Sequence, residues 1–117
     1  MISAYQSALS AVQAFGTGIN SNANNIANSN TDGFKRTRVT QTATQPQGVQ
    51  ATVEKVKTEG PMVYKETNGG LELIEQSNVD LVSELTDMRV NANYYKANLK
   101  TIQAADEMLA SLLDIKA

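Results

Sequence analysis

The sequence predicts a mainly α chain: two long terminal helices, one N-terminal and one C-terminal, forming an antiparallel coiled-coil pair, with a small β-hairpin or β insert between them. Three observations lead there. Apolar residues recur at heptad spacing from Ile2 to Ile26. They do so again, with no Gly or Pro to interrupt, from Leu81 to Leu113. Between these seams, apolar and polar residues alternate and turn residues punctuate them, as strands require. The expected segments are residues 1–30 for the first helix, 31–76 for a loop and the β insert, and 77–117 for the second helix.

The first helix has no charged side chain through residue 31. Its apolar positions are Ile2, Tyr5, Leu9, Val12, Ile19, Ala23 and Ile26; with Gly16 in the gap, the steps run 3, 4, 3, 4, 3, 4, 3. That is a heptad seam. Phe15 lies beside it, and Ala4, Ala8, Ala11, Ala14 and Gly18 flank it with small residues that let helix backbones approach closely. A solvated helix face normally carries Lys and Glu. An uncharged one points to a helix surrounded by other protein. Polar residues such as Gln6, Ser10, Gln13 and Asn20 exclude a membrane span, which needs about 20 mostly apolar residues. No Lys or Arg follows Met1, so a cleaved export signal is not expected.

The pattern dissolves at Asn24, Asn25, Asn28 and Asn30, then Thr31-Asp32-Gly33. These residues favour turns and left-handed backbone, and Asn30 or Gly33 is expected to close the helix. Phe34 opens a basic patch of Lys35, Arg36 and Arg38. Residues 37–47 are Thr- and Gln-rich and read as extended or loop. Val49, Ala51 and Val53 alternate with polar residues as a half-buried strand does. Glu59-Gly60-Pro61 is expected to turn the chain into a returning strand at Met62, Val63 and Tyr64. After Asn68-Gly69-Gly70, the residues Leu71, Leu73 and Ile74 read as a third short strand.

Ser77 to Asp80, with Asn78 between, reads as a capping box for the second helix. Beyond it Leu81, Leu85, Met88, Ala92, Tyr95, Leu99, Ile102, Asp106, Leu109 and Leu113 keep alternating steps of 4 and 3. The helix would be roughly 55 Å long.

Composition excludes most chemistry. The chain has no Cys, His or Trp, and only 5% of its 117 residues are aromatic. Disulfides, His-assisted nucleophiles and the common zinc sets are therefore out of reach. Asp80, Glu84 and Asp87 form no acid/base constellation; acids at a helix start are stabilised by its dipole anyway. Lys96 and Lys100, four apart on one helix face, repel unless an acid from elsewhere meets them. With 10 basic and 12 acidic residues the chain has no electrostatic footprint for nucleic acid. No catalytic residue, cofactor or metal is expected. The inferred activity is assembly through the seam residues Ile2, Tyr5, Leu9, Val12, Phe15, Ile19, Ile26, Leu85, Met88, Tyr95, Leu99, Ile102, Leu109 and Leu113.

The stretch from Ala23 through Asn25, Asn28, Asn30, Gly33 and Phe34 to Arg36 resembles the N-terminal motif of the bacterial flagellar rod and hook proteins. The stretch from Glu75 through Ser77, Asn78, Asp80 and Leu85 to Leu109 resembles the C-terminal motif of the same family. Together they cover about two-fifths of the sequence. The resemblance implies a structural subunit whose terminal helices are axial, building the export and drive-shaft tube of the basal-body rod in the periplasm. It implies copies of itself and other rod or hook proteins as partners. It also implies passage through the flagellar type III export apparatus, without a cleaved signal peptide.

The middle segment is short, which favours a proximal-rod-type member, whereas Glu75 to Leu85 is closer to the distal-rod and hook pattern. Asn93 stands where the family commonly has an Arg, so any contact of that Arg does not carry over. The competing readings are a hook or distal-rod paralogue, and a soluble helical adaptor or chaperone-like binding module. The adaptor should carry charge on its outer helix faces, which residues 1–31 do not.

Overall fold

The computed structural model describes residues 2–116, leaving only Met1 and Ala117 outside. Two helices enclose four strands in chain order: α1 (Ile2–Ala27), β1 (Thr37–Ala43), β2 (Val49–Lys55), β3 (Met62–Thr67), β4 (Gly70–Glu75) and α2 (Leu81–Lys116). The helices run in opposite directions side by side and give an elongated body of 79 × 24 × 20 Å.

The expected fold class is corrected in two respects. First, the β segment is neither one hairpin nor one small sheet. It is two separate antiparallel pairs, β1–β2 and β3–β4. Val39 pairs with Val53 in one, and Tyr64 with Leu73 in the other. The Thr- and Gln-rich residues 37–43 form a strand because β2 supplies their backbone partners, which an apolar count does not register. Glu59-Gly60-Pro61 joins the two pairs instead of closing a hairpin. Gly60 is required there by space: a Cβ would stand 2.1 Å from the Gln76 carbonyl oxygen.

Second, the helices do not meet along the leucine and isoleucine stripes of a coiled coil. The buried residues of α1 are Ala8, Ala11, Ala14, Gly18, Asn22 and Asn25. Those of α2 are Glu84 and Ala105, with Met88, Asn91, Tyr95, Asn98 and Ile102 half-buried between them. Small side chains allow close approach: the place of a Cβ on Gly16 lies 3.5 Å from the Tyr95 ring. Among the described residues, the fully buried apolar side chains are all Ala. What stands is a mainly α chain with β structure between its helices.

Polar side chains hold the junction. Asn25 is fully buried and pairs with the Thr37 backbone as a neighbouring strand would. Its Oδ1 accepts from the Thr37 N–H at 3.0 Å, and its Nδ2 donates to the Thr37 carbonyl at 2.8 Å. Asn78 does the same at the other helix: Oδ1 accepts from the Arg36 N–H at 2.7 Å, and Nδ2 donates to the Val56 carbonyl at 2.8 Å. Gly33 has φ 73°, and its N–H donates to the Glu75 carbonyl at 2.9 Å. That left-handed turn, which Gly adopts without steric cost, carries the chain out of α1.

Candidate assembly interface

The seam that joins α1 to α2 runs one residue behind the apolar stripe in α1, and in α2 it shares every second position with the stripe. In α1 it follows Ala8, Ala11, Phe15, Gly18, Asn22 and Asn25, where the stripe follows Leu9, Val12, Gly16, Ile19, Ala23 and Ile26. In α2 it takes Glu84, Asn91, Asn98 and Ala105, where the stripe takes Leu85, Ala92, Leu99 and Asp106. One residue is about 100° of rotation about a helix axis, so the stripe is turned from the seam by about that much in α1 and by about half as much in α2. Because the axes are opposed, the same forward step turns both stripes toward the same side of the pair.

The packing agrees. Ile2, Tyr5 and Leu9 from α1 line one groove of about 490 Å³ with Ala105, Asp106 and Leu109 from α2. The opposite side is covered by β1–β2. There Ser10 Oγ accepts from the Val49 N–H at 3.0 Å, and the Ser21 and Thr37 hydroxyls share a hydrogen bond of 2.6 Å. The sheet thus packs on α1, and the groove side of the helix pair leaves Ile2, Tyr5, Leu9 and Leu109 exposed.

The residues expected at the interface fall on this map as follows. Ile2, Tyr5 and Leu9 are exposed, with Ile2 at 75%. Val12, Ile19 and Ile26 are half-buried. Phe15 belongs to the internal seam, stacked on Tyr94 with ring centroids 5.0 Å apart. Leu85, Leu99, Leu109 and Leu113 are exposed; Met88, Tyr95 and Ile102, common to stripe and seam, are half-buried.

Of the turn residues, Asn28 donates to the Asn24 carbonyl at 2.9 Å and accepts from the Thr31 hydroxyl at 3.1 Å. Asn30 is exposed. Phe34 is half-buried, and its carbonyl accepts from the Asn78 N–H at 3.2 Å. Asp80, not Ser77, caps α2: its Oδ1 accepts from the Val82 N–H at 3.2 Å. The Ser77 hydroxyl accepts from the Val79 N–H at 3.2 Å, one turn too early to cap the helix.

The internal seam also contains what the stripe count missed. Glu84, expected at a solvated helix start, is 2% exposed. It accepts from Asn22 Nδ2 at 2.8 Å and pairs with the Arg36 guanidinium at 3.5 Å. Asn22 in turn accepts from Asn91 Nδ2 at 2.9 Å. The sequence signal was a second heptad of small and amide residues one step behind the apolar one. The basic patch is neutralised within the chain, Lys35 by Glu75, Arg36 by Glu84 and Arg38 by Glu54. Gly60 N–H also donates to the Glu75 carboxylate, at 3.0 Å. Together with Lys35, this holds the Glu75 carboxyl below the usual glutamate range.

Among the described residues, no three Asp or Glu side chains converge as a metal site, and no helix is long and apolar enough to cross a membrane. What the helix pair presents is an apolar strip beside a shallow groove.

Residues 72–115, from β4 through most of α2, match the family model described as flagellar basal body rod FlgEFG protein C-terminal. A segment of 43 residues is 44% identical to the flagellar hook protein FlgE of Treponema pallidum (strain Nichols). That segment is 37% of this chain and 9% of the hook protein, so the chain matches only a small part of that relative. These findings make the C-terminal part of the chain similar to flagellar rod and hook proteins.

Proposed function

We propose, for a chain whose C-terminal segment belongs to the flagellar rod and hook family, that it is a structural subunit of the basal-body rod. It assembles with copies of itself and with other rod or hook proteins to build the axial tube through which export passes and torque is carried. Its role is assembly, not catalysis. It reaches the periplasmic rod through the type III export apparatus without a cleaved signal peptide.

One observation carries this reading. The uncovered side of the helix pair aligns Ile2, Tyr5 and Leu9 with Leu85, Leu99, Leu109 and Leu113, each exposed in the single chain. Covering a Leu or Ile fully contributes about 1.5–3 kcal/mol. The internal seam, lined by Ala, leaves that contribution to a neighbour. An apolar strip this long is an interface, since single chains rarely leave such a patch to water.

The hook relative favours a second reading, a hook or distal-rod paralogue, on the strength of 44% identity over the matched segment. Mass spectrometry of purified hook–basal bodies with copy number separates the two. A handful of copies per basal body is the expected result for a rod subunit. A hundred or more would move the assignment to hook or distal rod. Reproducible absence, with the known rod proteins detected, would overturn both.

A further inference from the structure

The β3–β4 pair packs against neither helix nor β1–β2; it is held to the chain's 32–35 turn by Glu75 and Lys65. An isolated two-stranded hairpin is marginally stable in water. Its register places Tyr64 opposite Leu73 and Glu66 opposite Leu71, all on one face together with Met62. That face is open, with Tyr64 72%, Leu71 73%, Leu73 51% and Met62 49% exposed. The other face, with Val63 and Ile74, is half-buried. It also carries Lys65, which pairs with Asp32 at 2.7 Å. Glu66 is therefore the charge on the open face that, among the described residues, has no ion-pair partner.

The middle of α2 is the complement. Leu85 and Leu99 are exposed on the uncovered side. Beside them Arg89, Lys96 and Lys100 are exposed, and none forms an ion pair among the described residues. Lys96 and Lys100 repel each other across one helical turn until an acid meets them.

We propose that the open face of the β3–β4 hairpin docks on the middle of α2 of a second copy of this chain. Tyr64, Leu71 and Leu73 cover the strip around Leu85 and Leu99, and Glu66 meets Lys96 and Lys100. The contact joins different patches on the two copies, so it is head-to-tail and propagates into an open helical array instead of closing as a dimer. It rests on the assembly reading above and adds to it which surfaces meet.

The test uses the full chain. A photoreactive benzoylphenylalanine is placed at Tyr64, and in a second variant at Leu71, and the protein is irradiated as it associates. Crosslinks to residues 85–100 of another copy are expected. Glu66→Lys alone and Lys96→Glu alone should each raise the concentration needed for association by about threefold or more. The double variant should return it close to the parent value. Circular dichroism checks that each variant keeps its helices, which the hairpin does not touch. Arrays whose crosslinks fall elsewhere, or in which the charge exchange gives no rescue, overturn the hairpin contact and leave assembly standing. A chain that stays monomeric at every concentration overturns the assembly reading, and this contact with it.

Discussion

Asn22 donates its side-chain amide to Glu84 Oε2 at 2.8 Å across the helix pair, and both residues are buried, at 6% and 2% exposure. A carboxylate out of water is retained only where its oxygens are met. Here Asn22 meets one and Arg36, at 3.5 Å, the other. Asn22→Ala removes the first and also deprives Asn91 of its acceptor. The expected loss is about 1.5–3 kcal/mol, the range for hydrogen bonds to charged groups. Urea unfolding of the monomer measures it. In a double-mutant cycle with Glu84→Ala the two losses should not add, because they remove one interaction.

Gly60 sits just before β3, against the exit of β4, with the Gln76 carbonyl 2.1 Å from the place of a Cβ. That neighbour is backbone and has no rotamer to yield. Gly60→Ala should therefore push Pro61 and Gln76 apart and break the 2.7 Å bond from the Gln76 N–H to the Pro61 carbonyl. A cost of about 1–3 kcal/mol is expected for such overpacking. It should appear as faster amide exchange in β3–β4, with the exchange of α2 beyond Asn91 unchanged. Uniform destabilisation of both helices would contradict this local account.

Lys35, followed by the Gly60 N–H, holds Glu75 ionised below the ordinary glutamate range. A depressed folded-state pKa stabilises the fold above the unfolded value. The contribution is lost as pH falls through the folded value. The window therefore opens near about pH 4.3, the ordinary glutamate value, and extends below it. NMR titration of the Glu75 carboxyl should show a midpoint below that value. Lys35→Met should move the midpoint upward, and the protection factor of the Gly60 amide should fall on acidification. An ordinary midpoint in the parent chain would disprove the pairing.

That two long helices flank a β segment was legible from their heptad spacing, but their ends were not: α1 stops at Ala27, and Asp80 rather than Ser77 caps α2. The β pairing was less so. Residues 37–43 are mostly Thr, Arg and Gln, and Val39 and Ala43 are too few to mark a strand until Val49–Lys55 lies alongside. The seam was the largest miss, for a geometric reason. Heptad spacing is identical for two stripes one residue apart, so it reveals that a helix has a face and not which neighbour takes it. Leu99 and Asn98 satisfy the same period; the Ala8, Ala11 and Gly18 surface chooses Asn98, because only small residues admit the close approach.

That choice separates two kinds of substitution. Ala11 is 5% exposed in the internal seam, whereas Leu99 is 43% exposed on the uncovered side. Ala11→Leu should overpack the pair and cost about 1–3 kcal/mol of monomer stability. Leu99→Asp should cost the monomer less, about 1 kcal/mol, from partial loss of packing and helix propensity at a 43% exposed site. It should nonetheless abolish association, because the neighbour would have to bury a carboxylate. Sedimentation of each variant beside its unfolding curve reads both quantities. Normal association by folded Leu99→Asp would remove Leu99 from the interface.

The weakness of α1 gives the last expectation. Its fully buried apolar side chains are three alanines, and its first turn has no acid and its last no base. Gly16 and Gly18 each cost about 1 kcal/mol of helix propensity relative to Ala. Ordering opposes folding by about 1–2 kcal/mol per residue. In the monomer, α1 should therefore open at a free energy well below that of global unfolding. Amide exchange across residues 2–14 should be fast in a verified monomer. It should slow by at least about tenfold on association, when Ile2, Tyr5 and Leu9 are covered; tenfold corresponds to about 1.4 kcal/mol. Protection of α1 in the monomer equal to that of α2 around Glu84–Ala105 would show that the alanine seam is sufficient by itself. The apolar strip would then have no part in ordering the helix.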